Sequence, residues 1–233
     1  MVVRGSGRPE AYRLADGTRV PSVTTITSAR KSGIEGLLVW ANRLGQEGKD
    51  HRAERKKAGD AGTLAHAMVE NAIHGRPPRE NTDGFPEEAF GPAEIGFHAW
   101  EEWSKVMKVE YVKTEVPLVS EGWRFGGTPD AIAKVEGKLC VLDWKTSNAV
   151  YADYVIQLAA YRALVNESEG RRSSLRQAAS LPAGRCYLLR FGKEHADYHV
   201  HAYPQAVLLL GWRAFLALRQ LYDLDQQLGK VCR

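Results

Sequence analysis

Three residues of this chain combine reactive types with a spacing that could do chemistry: Asp130, Asp143 and Lys145, in the stretch Trp123 to Ser147. The stretch reads as two β-strands, Phe125 to Val135 and Leu139 to Thr146, joined by a turn at Glu136-Gly137. Residues equidistant from that turn pair, which sets Asp130 opposite Asp143 with Cβ atoms roughly 5 Å apart. The strand period of two brings Lys145 to the same face. Opposed carboxylates repel unless positive charge lies between them. A divalent cation fits that place, because Mg²⁺ takes one or two carboxylates and completes its shell with waters and phosphate oxygens. The lysine could then orient or deprotonate the attacking water. The plain alternative is a surface hairpin whose Asp130 and Lys145 form an ordinary salt bridge. Two features weigh against it: the apolar flank Val141-Leu142, and Gly126-Gly127, which admits close approach of a backbone or ligand.

Pro129-Asp130 followed by Asp143-Trp144-Lys145, with twelve residues between the aspartates, resembles the core of the PD-(D/E)XK nuclease superfamily. Gln157 and Tyr161 match its QxxxY helix. Residues 62 to 70, GTLAHAMVE, match the GxxxHxxxE pattern of its RecB-type exonuclease branch. In this respect the chain is similar to phage, CRISPR-associated and mitochondrial genome maintenance exonucleases. The resemblance covers about residues 20 to 165, and four motifs in the right order carry it. It implies Mg²⁺ or Mn²⁺ held by Asp130 and Asp143, with His66 and the backbone carbonyl of Trp144 as further ligands and Glu70 orienting His66 or ligating through water. It also implies that Lys145 acts on the water, and that Gln157 and Tyr161 border the site and place the DNA backbone. Some relatives hold an iron-sulfur cluster with four cysteines. This chain has three, Cys140, Cys186 and Cys232, so the cluster is expected to be absent.

These side chains need elements to position them. Asp16-Gly17 signals a hairpin, and Ser22 is a candidate helix cap before it is a phosphate contact shared with Thr24. Helical stretches are expected over Gly36 to Gly45, Lys49 to Ala58 and Gly62 to His74, the last capped by Thr63. On the third, His66 and Glu70 share a face. The second carries Arg52, Arg55 and Lys56, which form either a solvated face or the wall of a DNA channel. Trp40 is expected in the core. Pro86 to Met107 reads as a helix with a stripe of Ile95, Trp100, Trp103 and Val106. Tyr111 to Val119 then reads as a strand, with Glu115 at a position where relatives often keep a glutamate. After Lys145, a helix over Ala149 to Val165 places Gln157 one turn before Tyr161, which pattern alone makes a core residue. A polar segment, Asn166 to Gly184, contains Arg171, Arg172 and Arg176 and is a candidate DNA-contacting flap. Strands Cys186 to Phe191 and Tyr198 to Tyr203 follow. The closing helix, Pro204 to Leu228, has a stripe of Leu210, Ala214, Ala217, Leu221, Leu224 and Leu228 that is expected to pack on the core.

Composition sets the bounds. The 233 residues suffice for one enzyme-sized unit, and the net charge of +4 permits nucleic acid without demanding it. The odd, scattered cysteines argue for a reducing compartment, and no apolar run is long enough to span a bilayer, so a soluble, cytoplasmic protein is expected. The expected fold is α/β: a restriction-endonuclease-like core with a mixed four- to five-stranded sheet flanked by helices. One nuclease domain spans 1–233, with a helical part over 1–110, the catalytic core over 111–203 and a C-terminal helix over 204–233. The expected function is metal-dependent exonucleolytic hydrolysis of DNA, on single strands or frayed ends, in DNA repair, recombination or phage DNA processing. Alternatives are a structure-specific endonuclease of the same superfamily and a catalytically silent DNA-end-binding accessory. Oligomeric state is not readable from the sequence.

Overall fold

A computed structural model describes residues 9–30, 34–147, 149–170, 185–192 and 197–232. Strands β1 (Tyr12–Arg13) and β2 (Arg19–Val20) form the expected hairpin, with Gly17 at φ +84° where the chain turns back. Ser22 caps α1 (Val23–Thr27) by accepting from the Thr25 N–H at 3.0 Å. Helices α2 (Ile34–Gln46), α3 (His51–Ile73) and α4 (Phe90–Met107) follow. Next come strands β3 (Glu110–Thr114), β4 (Leu118–Ser120), β5 (Phe125–Gly127), β6 (Ala131–Val135) and β7 (Lys138–Lys145). Helix α5 (Ala152–Ser168), strands β8 (Arg185–Phe191) and β9 (Tyr198–Ala202), and helix α6 (Gln205–Val231) complete the order.

The central sheet has five strands in the order β3-β6-β7-β8-β9, and β7–β8 is its parallel pair. A parallel neighbour needs a crossover, and α5 supplies it. Side-chain alternation along β6, β7 and β8 divides the interior in two. Ala133, Leu142, Trp144 and Leu189 meet α3 and α4 on one face, while Ile132, Val141 and Leu188 meet α1, α5 and α6 on the other. Each fully buried Leu or Phe contributes about 1.5–3 kcal/mol, so both faces must be covered for the sheet to be stable. This is the expected restriction-endonuclease-like α/β sheet flanked by helices. No helix among the described residues is long and apolar enough to cross a membrane.

Several boundaries differ from the sequence reading. Lys49 to Ala58 and Gly62 to His74 are one helix, α3, with Asp50 as its cap, accepting from the Arg52 N–H at 2.8 Å. Thr63 is therefore not a cap; its hydroxyl donates to the Gly59 carbonyl inside the helix. Trp40 is only half-buried, because α2 packs mainly through Leu44. Val106 is exposed, and the inner face of α4 runs through Ala93, Gly96, Phe97, Trp100 and Trp103. The strand expected over Tyr111 to Val119 breaks at Glu115, and β4 then pairs with β5 in a separate two-stranded sheet.

The largest correction concerns α6. Its core face is Leu208, Gly211, Trp212 and Phe215, not the stripe of leucines. Gly211 decides the orientation: a Cβ there would lie 3.0 Å from the Val155 carbonyl oxygen and 3.2 Å from Ala159 Cβ, so only glycine lets α6 lie this close to α5. Trp212 and Phe215 then stack on each other and lie tilted against Phe125. Leu210, Ala217, Leu221, Leu224 and Leu228 are left exposed, and Ala214 is partly buried.

Candidate active site

The hairpin that carries the carboxylates has the expected register. Glu136 and Gly137 both adopt left-handed conformations, φ +52° and +72°, and the strands on either side pair Ala131 with Leu142 and Ile132 with Val141. One step further along this ladder sets Asp130 opposite Asp143. The carboxylate of Asp130 is fixed from that side, since the Trp144 N–H donates to its Oδ2 at 2.8 Å. Both aspartates are buried, with 2% and 1% of their surface exposed.

Each carboxylate has its own cationic or proton-sharing neighbour. His66 reaches in from α3, with Nδ1 3.5 Å from Asp130 Oδ1. Lys145 Nζ lies 2.6 Å from Asp143 Oδ2 and 5.5 Å from the centre of the Tyr154 ring. Gly62, one turn before His66, allows this convergence, because a Cβ there would come within 2.8 Å of Thr146 Oγ1. The helix can thus press on the end of β7, which gives the glycine of the GxxxH spacing a physical reason.

Glu115 joins the group. A ligand atom from each of His66, Glu115 and Asp130 lies within 4.8 Å of the other two. Glu115 holds a left-handed backbone, φ +46°, and its N–H donates to the Asp130 carbonyl at 3.1 Å. For a residue with a Cβ this conformation costs of order 1–2 kcal/mol, and such strain recurs at functional sites.

Burial raises both carboxyls, and their neighbours then separate them. At Asp130 the His66 ring and Lys145 outweigh burial and hold the group down at about 2. At Asp143 burial and the repulsion of Asp130 outweigh the Lys145 contact and push the group up to about 6. Lys145 is held above its ordinary value: burial opposes its charge, but Asp143 and Asp130 together more than compensate. The two sides of the Asp143–Lys145 pair therefore respond differently, since the lysine faces two carboxylates and Asp143 faces one cation and one anion.

This donor set fits a hard divalent cation. Carboxylate oxygens and an imidazole nitrogen converge, and Asp143 Oδ2, although close to Lys145, is buried without a well-directed hydrogen bond. Gln157 and Tyr161 lie on α5, where Gln157 Nε2 donates to Tyr161 Oη at 2.7 Å. Tyr161 is buried, as pattern alone implied, and packs where Gly127 lacks a side chain. Glu70 is one helical turn after His66 and half-buried. Arg52, Arg55 and Lys56 are exposed on the first turns of α3, with Lys56 paired to Asp60 at 2.5 Å. Arg171, Arg172 and Arg176 lie outside the described residues.

A cavity of about 690 Å³ opens on the side of the protein that carries α1. It is walled by Tyr161 and Thr128 and extends to Arg19, Thr25, Arg124 and Arg219. The carboxylates themselves are not part of its lining, but Thr128 is two residues from Asp130. Ser22 borders the cavity while capping α1, and its hydroxyl is 2.9 Å from that of Thr24.

A family model for the PD-(D/E)XK nuclease superfamily matches residues 38–213. The chain belongs to the PD-(D/E)XK nuclease superfamily. Among solved structures, a candidate exonuclease from Eubacterium rectale is 14% identical, with 72% of this chain and 68% of that chain covered and a TM-score of 0.49. An alkaline exonuclease from Laribacter hongkongensis is also 14% identical, with 59% and 72% covered and a TM-score of 0.29. The same enzyme in complex with dAMP gives 15% identity, 76% and 99% coverage and a TM-score of 0.28. No curated protein matches. Pro129-Asp130 and Asp143-Trp144-Lys145 fall inside the matched range. Sequence reasoning left Glu115 outside the set of site residues because a lone glutamate in a strand pattern looks like scaffold. Its position before the PD motif was the available signal.

Proposed function

We propose that this chain is a divalent-cation-dependent exonuclease that hydrolyses DNA phosphodiesters from single-stranded or frayed ends. The observation that carries this reading is the pairing of two buried carboxylates with different neighbours, Asp130 with His66 and Asp143 with Lys145. Asp130, Asp143, Glu115 and His66 would hold Mg²⁺ or Mn²⁺, with the Trp144 carbonyl as a further ligand. Glu70 would orient the histidine from one turn along the helix. A bound ion of this kind lowers the pKa of a water and offsets the charge that builds on the scissile phosphate.

The protein's own groups would do the rest. Lys145, kept protonated by two carboxylates, directs an N–H at the attacking water or at the phosphate oxygens. Tyr161 and Gln157 border the path of the strand and place its backbone. Arg55 lies eleven residues before His66 on the same helix, which returns it to within about 20° of the same face and about 16 Å away. Arg52 and Arg55 can therefore meet phosphates several nucleotides from the site, where charge neutralisation supplies affinity without sequence preference. Within the superfamily, the GxxxHxxxE spacing on α3 and the cavity beside Tyr161 support the RecB-type, end-directed form.

Mode of attack has a direct test. A linear single strand should be digested from a terminus into short products, while the same sequence closed into a circle survives. Nicking of the circle at the rate of the linear form would move the assignment to an endonuclease.

A further inference from the structure

Helix α6 carries a second apolar seam that the described residues leave open. Its inner face is used by Leu208, Gly211, Trp212 and Phe215. Along its outer side, apolar residues run from Leu210 through Ala214, itself partly buried against the core, Ala217, Leu221, Leu224 and Leu228 to Val231, at spacings that alternate between four and three. That alternation is the a/d repeat of a coiled coil, sustained through three heptads. Leu210 is 60% exposed, Leu228 59% and Val231 82%. From Leu224 to Cys232 every residue is exposed, so the last turns, about 13 Å of helix, stand clear of the body. An unsupported helical end of this kind is marginal in water.

We propose that this seam pairs with the same seam of a second copy of this chain, as an antiparallel two-helix coiled coil. Knobs-into-holes packing along the seam from Ala214 to Val231 needs a partner of matching period, which a second copy supplies by identity. The other described helix with a cluster of exposed apolar residues, α2, has 13 residues and cannot span the seam. Size complementarity sets the direction. Antiparallel pairing places Val231 of one helix on Ala214 of the other, Leu228 on Ala217, and Leu221 on Leu224, so large residues fill the space over small ones. A parallel pair would stack alanine on alanine and bring the two bodies side by side. In the antiparallel form, each projecting end instead lies along the body-bound half of its partner.

The flanks agree with self-pairing. Gln220 faces its own copy across the axis and Gln227 faces Arg213, while the one like-charge pair, Asp225 with itself, lies on the screened rim. Complete burial of the exposed seam residues of two copies would remove on the order of 1,000 Å², just under the roughly 1,200–2,000 Å² of stable specific complexes, so flanking side chains must contribute the remainder.

Light scattering on the full chain at micromolar concentration tests this proposal. The expected mass is twice 25.9 kDa. Leu224→Asp with Leu228→Asp should return the protein to a folded monomer whose melting temperature no longer rises with protein concentration, because both side chains are exposed and only the pairing is lost. For direction, Ala217→Cys and Leu228→Cys chains, each also carrying Cys232→Ser, should form a disulfide when mixed and oxidised, and neither should do so alone. A monomeric wild type, a dimer that survives the double aspartate variant, or a disulfide formed by Leu228→Cys alone would overturn the proposal.

Discussion

The backbone N–H of Glu115 donates to the carbonyl of Asp130 at 3.1 Å, with Glu115 held at φ +46°. That bond ties the end of β3 to the residue that opens β6 and turns the Glu115 carboxylate toward Asp130 and His66. The strained backbone is the local cost of bringing a third candidate ligand to the site.

Glycine and alanine at position 115 should therefore separate strain from chemistry. Glu115→Gly removes the left-handed penalty and should be more stable than Glu115→Ala by about 1 kcal/mol, measured by thermal unfolding without metal. Both should bind Mn²⁺ more weakly than wild type by calorimetry. Equal stability of the two variants would contradict the backbone strain, and wild-type Mn²⁺ affinity in either would remove Glu115 from the ligand set.

Asp143 gives the metal-free protein a pH dependence of known sign. Its carboxyl is pushed from an ordinary value near 3.8 up to about 6, so the folded chain keeps a proton that the unfolded chain releases. Stability from this group is present below about pH 4 and lost as pH rises through 6. Asp130, held down at about 2, acts in the opposite sense and loses its contribution only as pH falls below about 4. With chelator present, wild type should gain stability on going from pH 7 to pH 5 relative to Asp143→Asn. Parallel unfolding curves for the two proteins over that range would contradict the assignment.

Gly127 should resist even a methyl group. A Cβ at Gly127 would come within 2.7 Å of Tyr161 Cε1 and 2.8 Å of Val23 Cγ2, with Leu164 Cδ1 at 3.1 Å. Gly127→Ala should cost about 1–3 kcal/mol by overpacking and displace Tyr161 from its bond with Gln157. Denaturant unfolding measures the first effect, and a fall in turnover larger than that of Tyr161→Phe measures the second. Wild-type stability would mean that α1 and α5 yield freely, contrary to their close packing.

The hairpin was legible in the sequence because a two-residue turn fixes register, and register fixes which side chains face each other. His66 was legible only through its spacing from Gly62 and Glu70. What the sequence hid were choices made by packing. Glycines 59 and 62 do not end a helix whose far side is buried against α4 and Thr146, so α3 runs through both. Helix α6 has two apolar faces, and the one with glycine and aromatic residues wins the core because it approaches α5 more closely. Glu115 breaks its strand through a conformation that composition does not announce.

In the proposed mechanism Asp143, with Asp130, holds the cation that enables cleavage. End-labelled linear DNA, single- and double-stranded, incubated with Mg²⁺ or Mn²⁺ and either wild type or Asp143→Asn, tests it most directly. Wild type should shorten the strand only when the cation is present, and the variant should not shorten it at all while remaining folded and still binding DNA. Cleavage by Asp143→Asn at the wild-type rate, or wild-type cleavage that persists in excess chelator, would contradict it.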